Sequence, residues 1–248
     1  MVLEKILVQK RLEIQKIPNY HLKEEHIPSF RLALLSTKGS IIAECKKGSP
    51  SKGVIQPNYN PVELAKEYER CGAVAISVLT DEKFFFGSLS HLQAVAQAVK
   101  LPVLRKDFIL DEKQILEARY FGASAVLLIV RILSFQRLRE LYFYAKSIGL
   151  DVLVEVHTLE EAKLALEIGA EIIGINTRDL DTLQIHKDII AQIAKYLPKD
   201  VICVGESGIS SRQDYLDMLP YVQSVLIGTY FMEKKKISTA FQELLAIS

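Results

Sequence analysis

Glu44 and Lys46 stand two residues apart where the apolar run SIIAEC gives way to the loop KKGSPSKG. Lys106 closes a second run, PVLRK, with Phe108 two residues on. Glu155 lies near the end of DVLVEV, with His157 two further along. Asn176 ends EIIGIN and is followed by Arg178, while Glu206, Ser207 and Gly208 end VICVGES. Gly228 and Thr229 follow the run SVLI. An ammonium flanked by carboxylates can hold a proton for an oxygen that gains charge, and a carboxylate can take or return one. Glycine-bearing turns such as GESGIS and IGTYF can bring backbone N–H groups against an oxyanion without a Cβ in the way. Together these strand ends offer a common rim of functional groups and a site for a small phosphorylated molecule.

Taken singly, each residue has a structural reading. Glu44 and Lys46 could be an ion pair capping the fold, Ser207 and Gly208 a helix cap, and Phe84–Phe86 a core plug or a surface patch. A strand-end lysine is usually solvated. Yet the polar residues fall at the same end of run after run, and unpaired charges there would be costly to bury. His157 has no role that the sequence alone assigns. No metal-ligand spacing is evident among the 5 histidines and 3 cysteines, so no metal is expected.

The elements that must position these groups repeat with a clear rhythm. Apolar runs SIIAEC, AVAISVL, PVLRKD, SAVLLIV, DVLVEV, EIIGIN, VICVGES and SVLIGT alternate with eight helical patterns, from PVELAKEYERCG to ISTAFQELLAI. Helices that end in CGA, FGA and IGA place glycine where a left-handed C-cap is needed. Runs apolar throughout, rather than alternating, suit parallel strands buried on both faces. Eight even units without a GxGxxG after the first strand favour a closed sheet over a doubly wound one. The fold class is therefore α/β, a (β/α)₈ TIM barrel with an N-terminal helical extension. Leu3, Ile6, Leu7, Ile14 and Ile17 have helical spacing before Pro18, and a short helix is predicted around SFRLALLST. The chain reads as a single barrel domain over 1–248, with residues 1–39 as that extension. In such a barrel the strand C-termini carry the chemistry, and side chains two apart on a strand share a face.

A chain of 248 residues with 49% hydrophobic and 25% charged residues has ample material for one large core. The net charge of +1 gives no field that would favour nucleic acid or an anionic membrane, so any anion must be caught locally. The N-terminal segment mixes Glu, Lys and Arg into its apolar residues and does not read as a signal peptide. Cys45 and Cys203 sit in apolar runs and read as core residues. The expectation is a cytoplasmic protein, a monomer or weak homodimer, whose partner is a small phosphorylated molecule.

Five segments in register then carry a resemblance: IIAECKKGSPSKG, SVLTDEKFFFGS, LPVLRKDFILDEKQILEARYFGASAVLLIVRIL, LVEVHTLEEAKLALEIGAEIIGINTRDLDTL and VGESGIS. The chain resembles the indole-3-glycerol-phosphate synthase family of tryptophan biosynthesis through nearly its whole length. That resemblance implies a carboxy-lyase. It would close the ring of 1-(2-carboxyphenylamino)-1-deoxyribulose 5-phosphate, with loss of carbon dioxide and then water, and would need no cofactor. It implies Lys106 as general acid, Glu155 as acid/base for dehydration, Glu44 as supporting carboxylate and Asn176 as positioner. Lys46 and Arg178 would meet substrate anions, with Ser49 near that end. Phe85, Phe108, Leu127 and Leu180 would wall the aromatic ring. Ser207, Gly208, Gly228 and Thr229 would hold phosphate, with Glu206 beside them in the ligand site.

Departures from the family pattern are Gly48, expected to loosen the first loop, together with Thr177, Gly205 and Thr229. Other readings stay open on the residues themselves: another sugar-phosphate barrel, an aldolase with a lysine imine, or a non-catalytic barrel that binds a phosphorylated ligand.

Overall fold

The computed structural model describes residues 2–22, 25–50, 52–234 and 236–245. Eight parallel strands close into a barrel: β1 Ser40–Cys45, β2 Ala75–Leu79, β3 Val103–Lys106, β4 Ala125–Ile129, β5 Asp151–Val156, β6 Ile172–Asn176, β7 Ile202–Glu206 and β8 Ser224–Ile227. They follow one another in chain order, and β1 meets β8 through Ser40 opposite Ser224 and Ala43 opposite Ile227. The barrel expected from the eight-unit rhythm is the fold observed.

The helices are α1 Val2–Ile14, α2 Phe30–Leu35, α3 Pro61–Arg70, α4 Glu82–Phe85, α5 Leu89–Ala98 and α6 Glu112–Tyr120. They continue with α7 Phe135–Ser147, α8 Leu159–Glu167, α9 Asp188–Ala194, α10 Arg212–Met218, α11 Thr229–Met232 and α12 Ile237–Leu245. Local sequence starts them. Asn60 accepts from the N–H groups of Val62 and Glu63 ahead of Pro61, and Asp111 with Gln114 forms a capping box. Gly72, Gly122 and Gly169 take the left-handed conformation read from the CGA, FGA and IGA signals.

Two hydrophobic layers follow from the period of two along each strand. Ile41, Ala43, Cys45, Ile76, Val78, Val126 and Leu128 face the surrounding helices. Ile42, Leu104, Leu127, Leu153, Ile172, Val204 and Leu226 fill the lumen. Continuing the lumen register reaches Glu44, Lys106, Glu155, Asn176 and Glu206. The charged groups are thus the last inward-facing positions of strands whose earlier inward positions are packed solid.

The two N-terminal helices lie at opposite ends of the lumen. Six residues are too few for a stable isolated helix. Even so, α2 is held because Phe30 and Leu34 are fully buried, each contributing roughly 2–3 kcal/mol. The Leu34 carbonyl also accepts from Gln223 Nε2 and Ser224 Oγ, so α2 closes the N-terminal end.

At the C-terminal end, Lys10 of α1 is buried against Asp81 at 2.8 Å, Asp107 at 2.9 Å and Glu13 at 2.8 Å. Arg105 joins Asp107 to Glu117, and Thr80 donates to Asp107. This ionic cluster fastens α1 beside the barrel mouth.

The first loop is not loosened by Gly48. Gly48–Ser49 pairs antiparallel with Gly53–Val54 in a two-residue hairpin. A Cβ at Gly48 would lie 2.3 Å from the Gly53 carbonyl oxygen and 2.7 Å from the Phe86 ring. Glycine there permits close packing under Phe86, which itself has φ 57°.

Candidate active site

Lys106 occupies the centre of the mouth. Its Nζ lies 3.2 Å from Glu155 Oε2 and 3.2 Å from Glu206 Oε2. The Lys106 side chain is 16% exposed, and each glutamate side chain only 1%. Burial opposes the Lys106 charge, but Glu206, Glu155 and Glu44 together hold its proton well above the usual lysine range. The carboxylates divide. Burial pushes Glu206 up to about 7 despite Lys106. Burial acts the same way on Glu155, yet Lys106, His157 and an Asn176 hydrogen bond bring it below the usual range. The difference is partners: Glu155 has three favourable neighbours, and Glu206 shares Lys106 with it. A proton added to this group goes first to Glu206 and leaves Glu155 ionised.

Lys46 Nζ lies 2.9 Å from Glu44 Oε1 and donates to Thr229 Oγ1 at 3.1 Å. Glu44 is buried, and Lys46 and Lys106 outweigh that burial to keep it ionised below the usual range. Lys46 therefore ties β1 to the turn after β8. Arg178 donates from Nη1 to the Leu183 carbonyl at 3.0 Å, and its own N–H reaches Asn176 Oδ1 at 3.0 Å. No carboxylate pairs with its guanidinium among the described residues, so it can receive an anion.

Gly228 has a different reason from the one its sequence suggests. A Cβ there would fall 2.2 Å from Glu44 Oε1, so the missing side chain makes room for that carboxylate. Gly174 does the same for Glu206, with its Cβ position 2.1 Å from Oε1. Gly208 does take a left-handed backbone, φ 78°, next to Ser207 at φ 64°. For Ser207 that conformation costs on the order of 1–3 kcal/mol and marks a turn held by its surroundings. Thr177 Oγ1 donates to the Glu206 carbonyl and packs under this turn. Gly205 faces outward to Met218 and Val222, away from the mouth.

The mouth has two lobes that share Glu44, Lys46, Lys106, Arg178, Ser207 and Thr229. One lobe is apolar. Phe85, Phe108, Leu127 and Leu180 line it, with Ser49 at its edge. The Phe85 and Phe108 rings stand 6.1 Å apart. The other lobe is polar and basic, with Ser207, Gly208, Ser210, Gly228, Thr229 and Lys187 on its wall. The arrangement suits an elongated ligand with an aromatic end, an anionic end and a reacting centre at Lys106. All the residues assigned to the ligand site from the sequence border one lobe or the other.

Several further residues contribute to the site beyond those the sequence assigns to it. Leu3 and Ile6 of α1 line the apolar lobe, as do Leu79, Ile129 and Leu183. Asp81 caps α4 by accepting from Phe84 and Phe85 N–H, and Asp107 accepts from Phe108 N–H at 2.8 Å. The Lys10 cluster thereby sets both aromatic walls. Lys10 itself falls on the apolar stripe of α1, three and four residues after Leu7 and Ile6, and a cation on such a stripe is the signal that could have found it.

Residues 3–244 match the family described as Indole-3-glycerol phosphate synthase. A protein of that name from Leptospira interrogans is 54% identical over 243 residues, covering 98% of this chain and 96% of the relative. Another from Aquifex aeolicus is 46% identical, covering 98% of each. Among solved structures, a tryptophan synthase α-subunit mutant from Pyrococcus furiosus superimposes with TM-score 0.63 at 12% identity, covering 85% of this chain and 99% of its own. A thiamine phosphate pyrophosphorylase from the same organism gives 0.64 at 17% identity, covering 87% and 96%. At such identities the structural likeness speaks to the fold alone.

Proposed function

The chain belongs to the indole-3-glycerol phosphate synthase family, and from that footing we propose how the barrel mouth performs the synthesis and which residue does what. The substrate is 1-(2-carboxyphenylamino)-1-deoxyribulose 5-phosphate. Its carboxyphenyl ring enters the apolar lobe between Phe85, Phe108, Leu127 and Leu180. Its phosphate enters the basic lobe, where the N–H groups of Gly208 and Thr229 and the Ser207 hydroxyl receive it. Lys106 then stands at the ketone between the two ends.

In the first step, the ring carbon that bears the carboxylate attacks the ketone carbon and a C–C bond forms. The carbonyl electron pair moves to oxygen, which takes a proton from Lys106. A tightly held ammonium proton suits this transfer, because the acceptor becomes a strongly basic alkoxide as the bond forms. The C–carboxylate bond breaks next, its electron pair restores the aromatic ring, and carbon dioxide leaves. The apolar lobe and α1 keep water from the carboxylate, and Arg178 meets it by charge. Finally Glu155 takes the proton released from the neighbouring carbon and returns it to the departing hydroxyl, which leaves as water. Asn176 fixes the Glu155 carboxylate, and Glu44 with Lys46 holds the β1 side of the mouth. Glu206 shares the Lys106 proton and returns charge balance after transfer.

The observation that carries this reading is Lys106, ion-paired to two buried glutamates at the junction of an apolar and a basic lobe. On this reading the proposed activity is that of a carboxy-lyase, and the proposed location is the cytoplasm. Likewise proposed are one barrel unit with residues 1–39 as an extension, and a monomer or weak homodimer. The test is turnover: purified protein with the carboxyphenylamino deoxyribulose phosphate, followed by indole fluorescence and release of carbon dioxide. Absence of both, with tight substrate binding, would make the barrel a binding protein instead.

A further inference from the structure

His157 extends the register that places Glu155 in the mouth, and the proposed reaction gives it no task. Its side chain is 4% exposed. Nε2 lies 3.3 Å from Glu155 Oε1, and Nδ1 lies 3.3 Å from Glu161 Oε2. The imidazole is thus clamped between two carboxylates on opposite edges of its ring. Glu161 is placed there by local sequence. Thr158 caps α8 by accepting from the Glu161 N–H at 3.1 Å, and the Glu161 carboxylate reaches back to accept from the His157 N–H. This is the S/T-x-x-E capping signature, used one residue further back.

The chemistry of the ring nitrogens narrows the protonation state. An ionised carboxylate only accepts, so each ring nitrogen beside one is favourable only as a donor. A neutral imidazole has one N–H and would turn a lone pair on one of the two carboxylates. Only the imidazolium suits both. Nε2 is buried and makes no aligned hydrogen bond among the described residues, so attraction to Glu155 is what offsets its lost hydration. Glu155 from β5, Glu161 from α8 and Glu206 from β7 are the charged groups that act on the ring. Lys106 of β3 approaches Glu155 and Glu206 from the far side. Burial works against the histidine charge, and Glu161, Glu155 and Glu206 more than offset it.

We propose that His157 is a positioning residue for Glu155: as an imidazolium held by Glu161, it fixes one oxygen of the Glu155 carboxylate and sustains its negative charge, leaving the other oxygen to face Lys106 and the substrate. The inference rests on the reading of Glu155 as the acid/base group. It assigns Glu161, outside the mouth, a part in the same chain of charges. Glu155 is then set by three groups, Lys106, Asn176 and His157.

The test combines a spectrum with a pH profile. In ¹⁵N-histidine-labelled protein, both His157 ring nitrogens should be protonated at pH 7; a neutral ring there overturns the proposal. In His157→Asn, the acid limb of the kcat profile should move to higher pH by about one unit, the lower end of what a nearby opposite charge does to a carboxylate. Glu161→Gln, which keeps the ring and an acceptor for its N–H, should move the limb the same way by less. A folded His157→Asn that loses rate with an unmoved limb would make the residue merely structural and overturn the proposal. If His157→Asn does not fold, Glu161→Gln and the parent spectrum decide. Glu155→Gln separates the two levels: full activity there would refute the Glu155 role itself, whereas an inactive Glu155→Gln with an unmoved His157→Asn limb refutes only this inference.

Discussion

Gly228→Ala should damage the protein through Glu44. The added Cβ would stand 2.2 Å from Glu44 Oε1, 2.9 Å from its Cδ and 3.1 Å from its Cβ. An ordinary carbon–oxygen contact needs roughly 1 Å more, a shift that a packed core resists. Glu44 is 5% exposed and must move away from β8. Moving it stretches the 2.9 Å pair with Lys46. At an effective dielectric near 20, a unit pair at that distance attracts by about 6 kcal/mol, against about 4 kcal/mol at 4 Å, so the stretch removes about 2 kcal/mol. Overpacking of a core position by one methyl group typically costs about 1–3 kcal/mol. The two are alternative outlets for one strain, so the expected loss is about 1–3 kcal/mol. For a protein of this size that lowers Tm by roughly 2–12 °C. Because Lys46 also holds Thr229, kcat/KM should fall by up to about 10²-fold, as for a misplaced catalytic group. Glu44→Asp is one methylene shorter and should recover part of the loss when combined with Gly228→Ala. A double-mutant cycle by thermal melt and steady-state kinetics measures this. Strictly additive effects, or a Gly228→Ala protein as stable as its parent, would refute the reasoning.

Glu206→Gln should reshape the pH dependence of stability. Burial raises the folded carboxyl from 4.5 to about 7, so between those values the folded parent holds a proton that the unfolded chain has lost. Parent stability therefore falls as pH rises through this window, by at most about 1.4 kcal/mol per unit, while the glutamine variant should lack that slope in chemical denaturation. Lys10→Met should cost about 3–5 kcal/mol, because Asp81 stays buried without a cation and Asp107 keeps only Arg105. Its Tm should drop, and KM should rise as α4 and the aromatic walls loosen; an unchanged melt would count against the cluster. Gly208→Val places a branched residue at φ 78° with its Cβ 2.9 Å from Thr177 Oγ1. It should raise KM and weaken competition by inorganic phosphate while kcat stays within about tenfold, since phosphate contacts serve ground and transition states alike; an unmoved KM would send the phosphate elsewhere.

The barrel was legible because a period of two along a strand is written in sequence. Ile42 and Glu44, Leu104 and Lys106, or Val204 and Glu206 share a face whatever the rest of the chain does. Strand ends and helix caps are equally local, as Asn60 and Asp111 illustrate. Contacts between elements were not legible. Glu44 meets Gly228 across the seam between β1 and β8, so the reason for that glycine lies far from it in the chain. Gly48 reads in linear order as a loosened loop, because Gly53 and the Phe86 ring that fix it are not its neighbours there. Lys10 stands in α1, and its partners Asp81 and Asp107 follow β2 and β3. His157 was set aside because its meaning depends on Glu161 folding back over it from a helix cap.

In the proposed reaction Lys106 is the proton donor for ring closure. The direct measurement is single-turnover kinetics of Lys106→Met, with its fold checked by circular dichroism and thermal melt, since Glu155 and Glu206 must then share a proton. A general acid contributes roughly 10²- to 10⁴-fold. A loss of that size in the rate of ring closure, with substrate still bound, is the expected result; a folded variant closing the ring within about tenfold of the parent rate would contradict Lys106 as the donor.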